Sequence, residues 1–447
     1  MKTTYQPSEI PQLKQRFPGE VLLRFRRNPL TVLEEMAGMG DVSTLRLLNF
    51  RFFMINDPVL IKEILVTQQD AFIKGRPVQF LGYLLGKGLL NSEGAFHRQQ
   101  RKLVLPAFHH HKIKAYAEAM ATCAERMNQN WQSGTVLNMG EEMMALTLEV
   151  VGRTLFGSDV SGEAEEIGEV LSEAQEMFKN IANPLAEIIL KFPFPATKRI
   201  ERIVARMDAT IYRLIEEHRS APERYTDLLS MLLAAQDEET GEGMSDEQVR
   251  DEAMTLFTAG HETTAIAMMW TWFLLSQNPK AEQKLHAELD RVLNGRIPTF
   301  DDLPALPYTR QVFSESLRLY PPAWAVTREA KRDLHLGSYF IPQGAALDFC
   351  PFILHRDARF WPDPLRFDPD RFAPDKKKSI DKFTYLPFSL GVRGCVGEQF
   401  AWTEGIILLA TIAQKWRFEL CSDPNPELRP IVTLHPAKPV KMRVLKR

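Results

Sequence analysis

The spacing of hydrophobic residues changes from strand-like to helical near the start of the chain. In the segment 41–56, apolar and polar residues alternate, and β-branched and aromatic residues are frequent. This pattern predicts a strand or a hairpin. After Asp57-Pro58 the apolar spacing becomes helical as far as about residue 69. We therefore expect a small sheet to begin before the first long helices.

Helical spacing dominates the middle of the chain. An apolar loop interrupted by glycines, residues 75–94, leads into a helix that begins at Ala95. Further helices are predicted at about 112–132, 139–156, 163–181 and 196–219. A proline-broken apolar segment, residues 183–195, separates the last two, and we interpret it as a mobile cover.

The longest predicted helix begins with a capping box. Ser245 and Gln248 have the spacing at which each side chain caps the backbone N–H of the other residue, and the helix is expected to end at Gln277. His261 and Glu262 interrupt its apolar stretch. Because a charged group is costly at the centre of a bilayer, we predict a buried helix rather than a membrane span.

The last third of the chain returns to strands. Two more helices end at Gly295 and at Pro321-Pro322, and short strands with glycine and proline turns are expected between Ala325 and Cys350. We find no repeat, low-complexity tract or linker in the sequence. The prediction is a mainly α protein, a single large helical domain of residues 1–447 with a minor β-sheet formed from both ends of the chain.

Composition and charge narrow the function classes. Hydrophobic residues make up 45% and charged residues 25% of the chain, as in ordinary globular proteins. Lysine and arginine total 55 against 57 acidic residues, a net charge of −2, so no global field favours nucleic acid. Four scattered cysteines suit a reducing compartment, and the N-terminal residues resemble neither a signal peptide nor a membrane anchor. We expect a cytoplasmic protein without a transmembrane anchor.

One cysteine has unusual neighbours. Cys395 lies among three glycines in FSLGVRGCVG, residues 388–397, just before a predicted helix. Most isolated cysteines are small buried hydrophobes, and that interpretation is kept for Cys123, Cys350 and Cys421. Around Cys395, however, the glycines permit a sharp turn and close approach to a flat partner. A helix N-terminus also favours the thiolate, which is the form that binds metals.

Three further motifs accompany this cysteine loop. The four motifs are AGHETT at 259–264, ExxR at 315–318, FDPDRF at 367–372 and FxxGxRxCxG at 388–397. With them the sequence resembles the haem-thiolate monooxygenases of the cytochrome P-450 family, from about Pro18 to the C-terminus. The resemblance implies the P-450 fold, haem b with Cys395 as the axial iron ligand, and O2 as co-substrate. It also implies that Phe388, Gly397 and Ala259 contact the haem.

The AGHETT segment lies within the long predicted helix. Its glycine and two threonines weaken the helix by about 1–2 kcal/mol. Thr263 can return its hydroxyl to the carbonyl of Ala259, which would open a groove in the helix. The resemblance implies that Thr263 hydrogen-bonds dioxygen in this groove and that Glu262 passes protons inward from solvent. A carboxyl in an apolar helix is otherwise commonly half of a satisfied ion pair.

The resemblance also assigns cations and a structural network. Partners of the haem propionates would be His97, Arg101, Arg328 and Arg393, although a lone arginine is often only a surface cation. Glu315 and Arg318 are three residues apart, a spacing at which solvated helical ion pairs are weak. The family instead buries this pair with Arg371 as a triad that supports the cysteine loop.

A distal pocket and its substrate follow from matching positions. The predicted pocket residues are Phe80, Leu81, Tyr83, Leu84, Phe257, Ala259, Ala323, Ala325 and Val326. Most are apolar, and such positions are also ordinary core positions. They favour a lipophilic small molecule, for which a fatty acid or a terpenoid is our hypothesis.

Electrons are expected from a separate protein. Basic residues predicted on the cysteine side are Arg98, Lys102, Lys376, Lys377, Lys378 and Lys382, although a solvated face is an equal alternative. An acidic ferredoxin or a flavodoxin, with its reductase, would be steered to such a patch. We recognise no flavin or iron–sulfur domain in the sequence.

Two rival functions stay open. A peroxygenase would use hydrogen peroxide directly, and a haem-thiolate sensor would bind haem and gas without turnover. The sensor would need neither Glu262 nor Thr263, and peroxide-driven relatives replace this acid–alcohol pair with arginine and proline. The presence of both residues therefore favours oxygen activation.

Overall fold

The structure is a computed structural model. It describes residues 9–17, 19–47, 50–157, 195–237 and 241–447. The predicted helix at 163–181 and all but the last residue of the proline-broken segment lie outside these ranges.

The described helices are numbered here in chain order. They are α1 Glu20–Arg27, α2 Pro29–Ala37, α3 Pro58–Lys62, α4 Arg76–Leu85, α5 Gly94–Val104, α6 His110–Asn130, α7 Met139–Phe156, α8 Pro195–Ser220, α9 Leu228–Ala234, α10 Asp246–Gln277, α11 Pro279–Val292, α12 Pro307–Leu319, α13 Pro351–Leu354, α14 Pro374–Lys377 and α15 Glu398–Ala413. The predicted helices in the described ranges are confirmed, mostly to within a few residues.

The described strands are short. They are β1 Val42–Leu47, β2 Phe50–Ile55, β3 Phe72–Lys74, β4 Val136–Asn138, β5 Val326–Ala330, β6 Leu334–Leu336, β7 Tyr339–Ile341, β8 Ala346–Phe349, β9 Trp416–Leu420, β10 Leu428–Pro430, β11 Leu434–Pro436 and β12 Lys441–Lys446. The expected hairpin at 41–56 and the late strands are both present, so the prediction of a mainly α fold with minor sheets is confirmed.

Two early segments differ from the prediction. The helix expected from Pro58 to about residue 69 is an α-helix only to Lys62 and continues as a π-helical turn, Glu63–Thr67. The glycine-rich stretch expected as a loop contains the ten-residue helix α4. Gly86 follows α4 with a φ of 68°, a left-handed conformation that ends helices at little cost for glycine. Glycine therefore terminates a helix there instead of preventing one.

The chain forms two compact units. The first comprises Met1–Leu81, Leu317–Arg366 and Asp375–Cys395. Its sheet has the strand order β1-β2-β8-β5-β3, in which β2 pairs parallel with β8, so early and late parts of the chain build one sheet as predicted. Phe53, Leu347 and Phe349 are fully buried in its core.

The second unit comprises Gly82–Ser316, Phe367–Pro374 and Val396–Arg447. Its central element is α10, which packs against α7 and α8, while α15 packs against α6. The predicted capping box is present, since Ser245 Oγ accepts from Gln248 N at 3.2 Å and Gln248 Oε1 accepts from Ser245 N at 2.7 Å. The single-domain assignment stays a prediction.

Within the described ranges, no helix combines the length and the apolar character needed to cross a lipid bilayer. The apolar stretch of α10 is instead buried, as predicted.

Candidate functional site

The cysteine loop is a closed turn. Cys395 donates its backbone N–H to Phe388 O at 2.9 Å, and Gly394 N donates to Gly391 O at 3.0 Å. Gly391 has a φ of 74°, and a Cβ at this position would collide with the carbonyl oxygen of Leu65. Only glycine combines this conformation with this close approach. The loop therefore has one backbone shape, and it ends at the cysteine.

The Cys395 side chain is exposed, unlike two of the other thiols. Cys123 and Cys350 are buried, and burial raises the pKa of each thiol to about 12. These two behave as protonated core residues, as predicted. The same prediction is wrong for Cys421, which is exposed. Cys395 stands three residues before Glu398, the first residue of α15. An exposed thiol beside a helix N-terminus is a suitable environment for a thiolate ligand.

One face of α10 is open. From Val249 to Leu275 every residue of this helix is buried except Leu256, Thr258, Ala259, Gly260 and Thr263. Four of the five follow the spacing i, i+3, i+4 and i+7, so they form a stripe along one face of the helix. This open stripe is the accessible face of an otherwise buried helix.

Thr263 bonds within its own helix. Its Oγ1 donates to Ala259 O at 2.6 Å, which confirms the predicted side-chain bond to the carbonyl four residues back. Such a bond competes with the backbone hydrogen bond of that carbonyl and locally distorts the helix. Thr263 and Ala259 both belong to the open stripe.

Glu262 is held on a different side of the helix. It is 3% exposed, and its Oε1 accepts from Thr433 Oγ1 at 2.6 Å and lies 2.9 Å from His435 Nε2. The adjacent residue His261 has a different contact: its Nε2 lies 3.2 Å from Met144 O. Sequence reasoning missed Thr433 and His435, because no local motif marks two residues that lie about 170 positions away from their partner in the chain.

Glu315 and Arg371 meet as predicted. Arg371 Nε lies 3.3 Å from Glu315 Oε1, and the same oxygen accepts from Asp368 N at 2.9 Å. The longer contact is an ion pair rather than a well-aligned hydrogen bond. The Glu315 side chain is fully buried and that of Arg371 is 12% exposed. This contact is therefore a buried pair and not a solvated one.

Within the first unit, hydrogen bonds connect Arg318 to the segment before the cysteine loop. Its Nη1 donates to His355 O and to Pro364 O, each at 2.7 Å, and its Nη2 donates to Arg366 O at 3.1 Å. His355 in turn accepts from Leu386 N through Nε2 at 2.8 Å. Leu386 lies two residues before Phe388, where the loop begins. Arg318 and His355 thus brace the backbone that enters the cysteine loop.

A comparison with known protein families decides the assignment. The family model described as Cytochrome P450 matches residues 17–444. The chain belongs to the cytochrome P450 family. It is accordingly an oxidoreductase of the monooxygenase type that uses haem iron and O2, as the four motifs implied.

Three similar proteins come from Streptomyces, and two of them are named as a monooxygenase or an oxygenase. Cyclooctatin synthase of Streptomyces melanosporofaciens is 39% identical over 96% of this chain and 95% of its own length. Cyclooctat-9-en-7-ol 5-monooxygenase of the same organism is 37% identical over 92% of this chain and 91% of its own. Pentalenene oxygenase of Streptomyces avermitilis is 31% identical over 94% of this chain and 92% of its own.

The cations assigned to the P450 haem differ in burial. His97 is 3% exposed and Arg328 is 5% exposed, whereas Arg101 and Arg393 are half-buried. Lone surface cations would be more exposed than His97 and Arg328. Arg328 Nη1 donates to Thr327 O at 2.9 Å. Their role toward propionates stays a prediction.

The predicted pocket residues lie in several environments. In α4, Phe80 and Leu84 are buried, Leu81 is half-buried and Tyr83 is exposed. The short segment before and at the start of β5 is accessible, with Ala323 exposed and Ala325 and Val326 half-buried.

Phe257 is a core residue rather than part of the open stripe. It is fully buried, and its ring lies 5.9 Å from that of Phe156. The structure thus places Phe257 on the packed side of α10, whereas Ala259 faces the open side. Apolar character alone did not separate the two sides in the sequence.

The basic residues predicted to meet a redox partner are all exposed, in both units of the chain. They are Arg98, Lys102, Lys376, Lys377, Lys378 and Lys382. Lys102 Nζ lies 3.4 Å from Asp237 Oδ2, so its charge is partly balanced.

Proposed function

We propose that this P450 inserts one oxygen atom from O2 into a terpenoid, with Cys395 as the thiolate ligand of haem b. The closed turn with an exposed thiol, formed by the bond from Cys395 N to Phe388 O, is the observation that carries the proposal. The names of the three Streptomyces relatives favour a terpenoid over a fatty acid. The chain would act as one haem-thiolate domain.

The residues present fit a haem. The exposed thiol of Cys395, three residues before a helix, would supply the ligand, and the buried side chains of His97 and Arg328 would pair with propionates, with Arg101 and Arg393 as further partners. Phe388 and Gly397 would flank the sulfur, and Ala259 would face the ring from the open stripe. When bound, the haem supplies the activation of O2 and the oxygen insertion.

The chain contributes proton handling and water exclusion. Thr263 would present its hydroxyl at the open stripe, while Glu262 would hold and release a proton at its carboxylate. Their adjacency in one helix supports an oxygenase over a sensor, since a sensor needs no proton supply. Leu81, Leu84 and Ala325 are among the apolar groups that would exclude water from a lipophilic substrate.

Electrons would come from a ferredoxin or a flavodoxin with its reductase. The exposed lysines at 376–378 support this, because a cluster of like charges steers an acidic partner. A reducing, cytoplasmic location is proposed from the four cysteines, none of which forms a disulfide in the described chain.

A spectral titration tests this function. The purified ferric protein would be titrated with cyclic terpenes and with fatty acids, while displacement of water from the iron is followed. Hits would then be incubated with a surrogate ferredoxin, its reductase and NADPH, and in parallel with hydrogen peroxide alone. We expect terpenes to bind and to be hydroxylated only with the redox partner. Exclusive binding of fatty acids, or turnover with peroxide alone, would contradict the proposal.

A further inference from the structure

The hairpin formed by β10 and β11 places a histidine in contact with Glu262. Strands β10 and β11 pair antiparallel; His435 is the central residue of β11, and Thr433 directly precedes that strand. Both side chains contact Oε1 of Glu262, at 2.6 and 2.9 Å. Two groups on one hairpin thus converge on one carboxylate oxygen.

The hairpin is anchored to α10 at a second point. Trp270 Nε1 donates to Leu434 O at 2.8 Å, and Leu434 is fully buried. Leu434 lies between Thr433 and His435, so the backbone between the two contacting residues is itself attached to the helix. The contact with Glu262 is therefore part of a built interface and not a chance approach of a mobile side chain.

The side chain of His435 is more exposed to solvent than that of Glu262. The side chain of His435 is 21% exposed and that of Glu262 is 4% exposed. We propose that His435 supplies protons from solvent to Glu262, and that Thr433 fixes the orientation of the carboxylate that receives them. This inference rests on the proposed oxygenase function. His435 acts through Glu262, to which it passes the proton.

The step balances as a simple proton transfer. In the protonated imidazole of His435 the Nε2–H bond breaks, its electron pair stays on the ring, and an O–H bond forms at Oε1 of Glu262. The neutral imidazole keeps its Nδ1–H and takes a new proton from solvent at Nε2. Thr433 has no proton to release near neutral pH, because a hydroxyl ionises far above that range.

The neighbouring charges favour His435 over His261 for this task. His261 is 4% exposed and its ring is tied to Met144 O, and burial lowers its pKa, so it has little access to solvent protons. Arg429 stands opposite His435 across the hairpin, and its positive charge opposes that of a protonated ring. The negative charge of Glu262, at hydrogen-bond distance, acts in the other direction.

Variants of the haem-loaded enzyme separate proton supply from positioning. His435→Gln keeps an N–H donor for Oε1 but cannot carry an extra proton, whereas Thr433→Val keeps the proton donor and loses the second hydrogen bond. His335→Gln, an exposed histidine on β6, is the matched control. NADPH consumed, peroxide released and product formed would be measured from pH 6 to 9 with a surrogate ferredoxin.

We expect His435→Gln to lower product per NADPH by about tenfold, less than the full effect of a general acid because water still reaches Glu262 slowly. Its coupling should no longer depend on pH, whereas the wild type should couple less well as pH rises, because an imidazole can gain and lose a proton and an amide cannot. Thr433→Val should lower coupling but keep the pH dependence. His335→Gln should match the wild type.

A second readout does not depend on turnover. The reduced, carbon monoxide-bound enzyme is diamagnetic, so the Nε2–H proton of His435 can be observed by NMR with labelled histidine. A bond to a charged acceptor is stronger than one to a neutral acceptor, so this signal should move upfield in Glu262→Gln. A signal insensitive to Glu262→Gln would overturn the contact.

The outcomes also separate this inference from the function on which it rests. If the wild type oxidises no substrate with any redox partner, the oxygenase function is wrong. If the wild type is active and His435→Gln matches it in coupling and in pH dependence, the function stands and the proton-supply role of His435 is wrong.

Discussion

Leu386 donates its backbone N–H to Nε2 of His355 at 2.8 Å. Because Nε2 accepts, the ring proton must lie on Nδ1, which is 3.2 Å from Arg318 O and can donate to it. His355 is fully buried, and burial, followed by the nearby charge of Arg318, lowers its pKa to about 3. His355 is thus a neutral imidazole that links α12 to the segment entering the cysteine loop.

This relationship predicts a pH-dependent stability. The pKa of His355 is about 3 in the folded protein and near 6.5 when unfolded. Below about pH 6.5 the unfolded chain binds a proton that the folded one excludes, so the free energy of unfolding should fall as pH falls from about 6.5 toward 3. Denaturant unfolding of the wild type and His355→Gln at several pH values measures the difference. The variant should be less stable at pH 7 by about 1–3 kcal/mol, and the gap should narrow in acid. A constant gap would contradict the lowered pKa of the buried imidazole.

The Glu315–Arg371 pair predicts a large loss of stability on truncation. Glu315→Ala leaves Arg371 and the N–H of Asp368 without their carboxylate in a buried place, which costs about 3–5 kcal/mol for pairs of this kind. The matched control is Arg213→Ala, which removes an exposed pair with Glu217. That change should cost less than about 1 kcal/mol. Chemical denaturation checks both, and similar losses in the two variants would show that burial of Glu315 is irrelevant.

The hydrogen bond from Thr263 to Ala259 predicts different coupling for two substitutions at Thr263. Thr263→Ser keeps the hydroxyl and should stay close to the wild type, whereas Thr263→Ala should divert most electrons to hydrogen peroxide and lower product per NADPH severalfold. Helix content should not change in either variant. Full coupling in Thr263→Ala would exclude a role of this hydroxyl in the reaction.

Hydrogen bonds of the loop after α4 predict that this loop connects α10 to the proposed substrate pocket. Asp251 Oδ2 accepts from Lys87 N at 2.6 Å, and Glu252 Oε2 accepts from Leu89 N at 3.0 Å. Gly88 lies between Lys87 and Leu89, and a Cβ on Gly88 would collide with Thr255 Oγ1. Gly88→Ala should therefore push the loop away from α10, lower stability by about 1–3 kcal/mol and weaken substrate binding.

The control for that substitution is Gly38→Ala, where a Cβ meets only ordinary contacts at 3.5 Å. Spectral titration with the best terpene ligand gives the dissociation constants. Equal affinity in Gly88→Ala and the wild type would show that the loop does not position the pocket.

What could be predicted from the sequence was local. The capping box at Ser245 and the bond from Thr263 to Ala259 involve residues three or four positions apart, where helix geometry fixes the distance. The contact of Glu262 with His435 joins residues that only the folded chain brings together. Likewise, an apolar residue such as Phe257 has the same hydrophobicity on either face of α10, so its side was set by packing and not by composition.

The central claim is that Cys395 binds haem iron as a thiolate. Its most direct test is the absorbance spectrum of the haem-loaded protein, reduced and exposed to carbon monoxide, for the wild type and for Cys395→Ala. The account predicts the band characteristic of a thiolate–iron–carbon monoxide complex in the wild type and its loss in the variant, with Cys421→Ala unchanged. Absence of the band in the haem-loaded wild type, or its persistence in Cys395→Ala, would contradict the account.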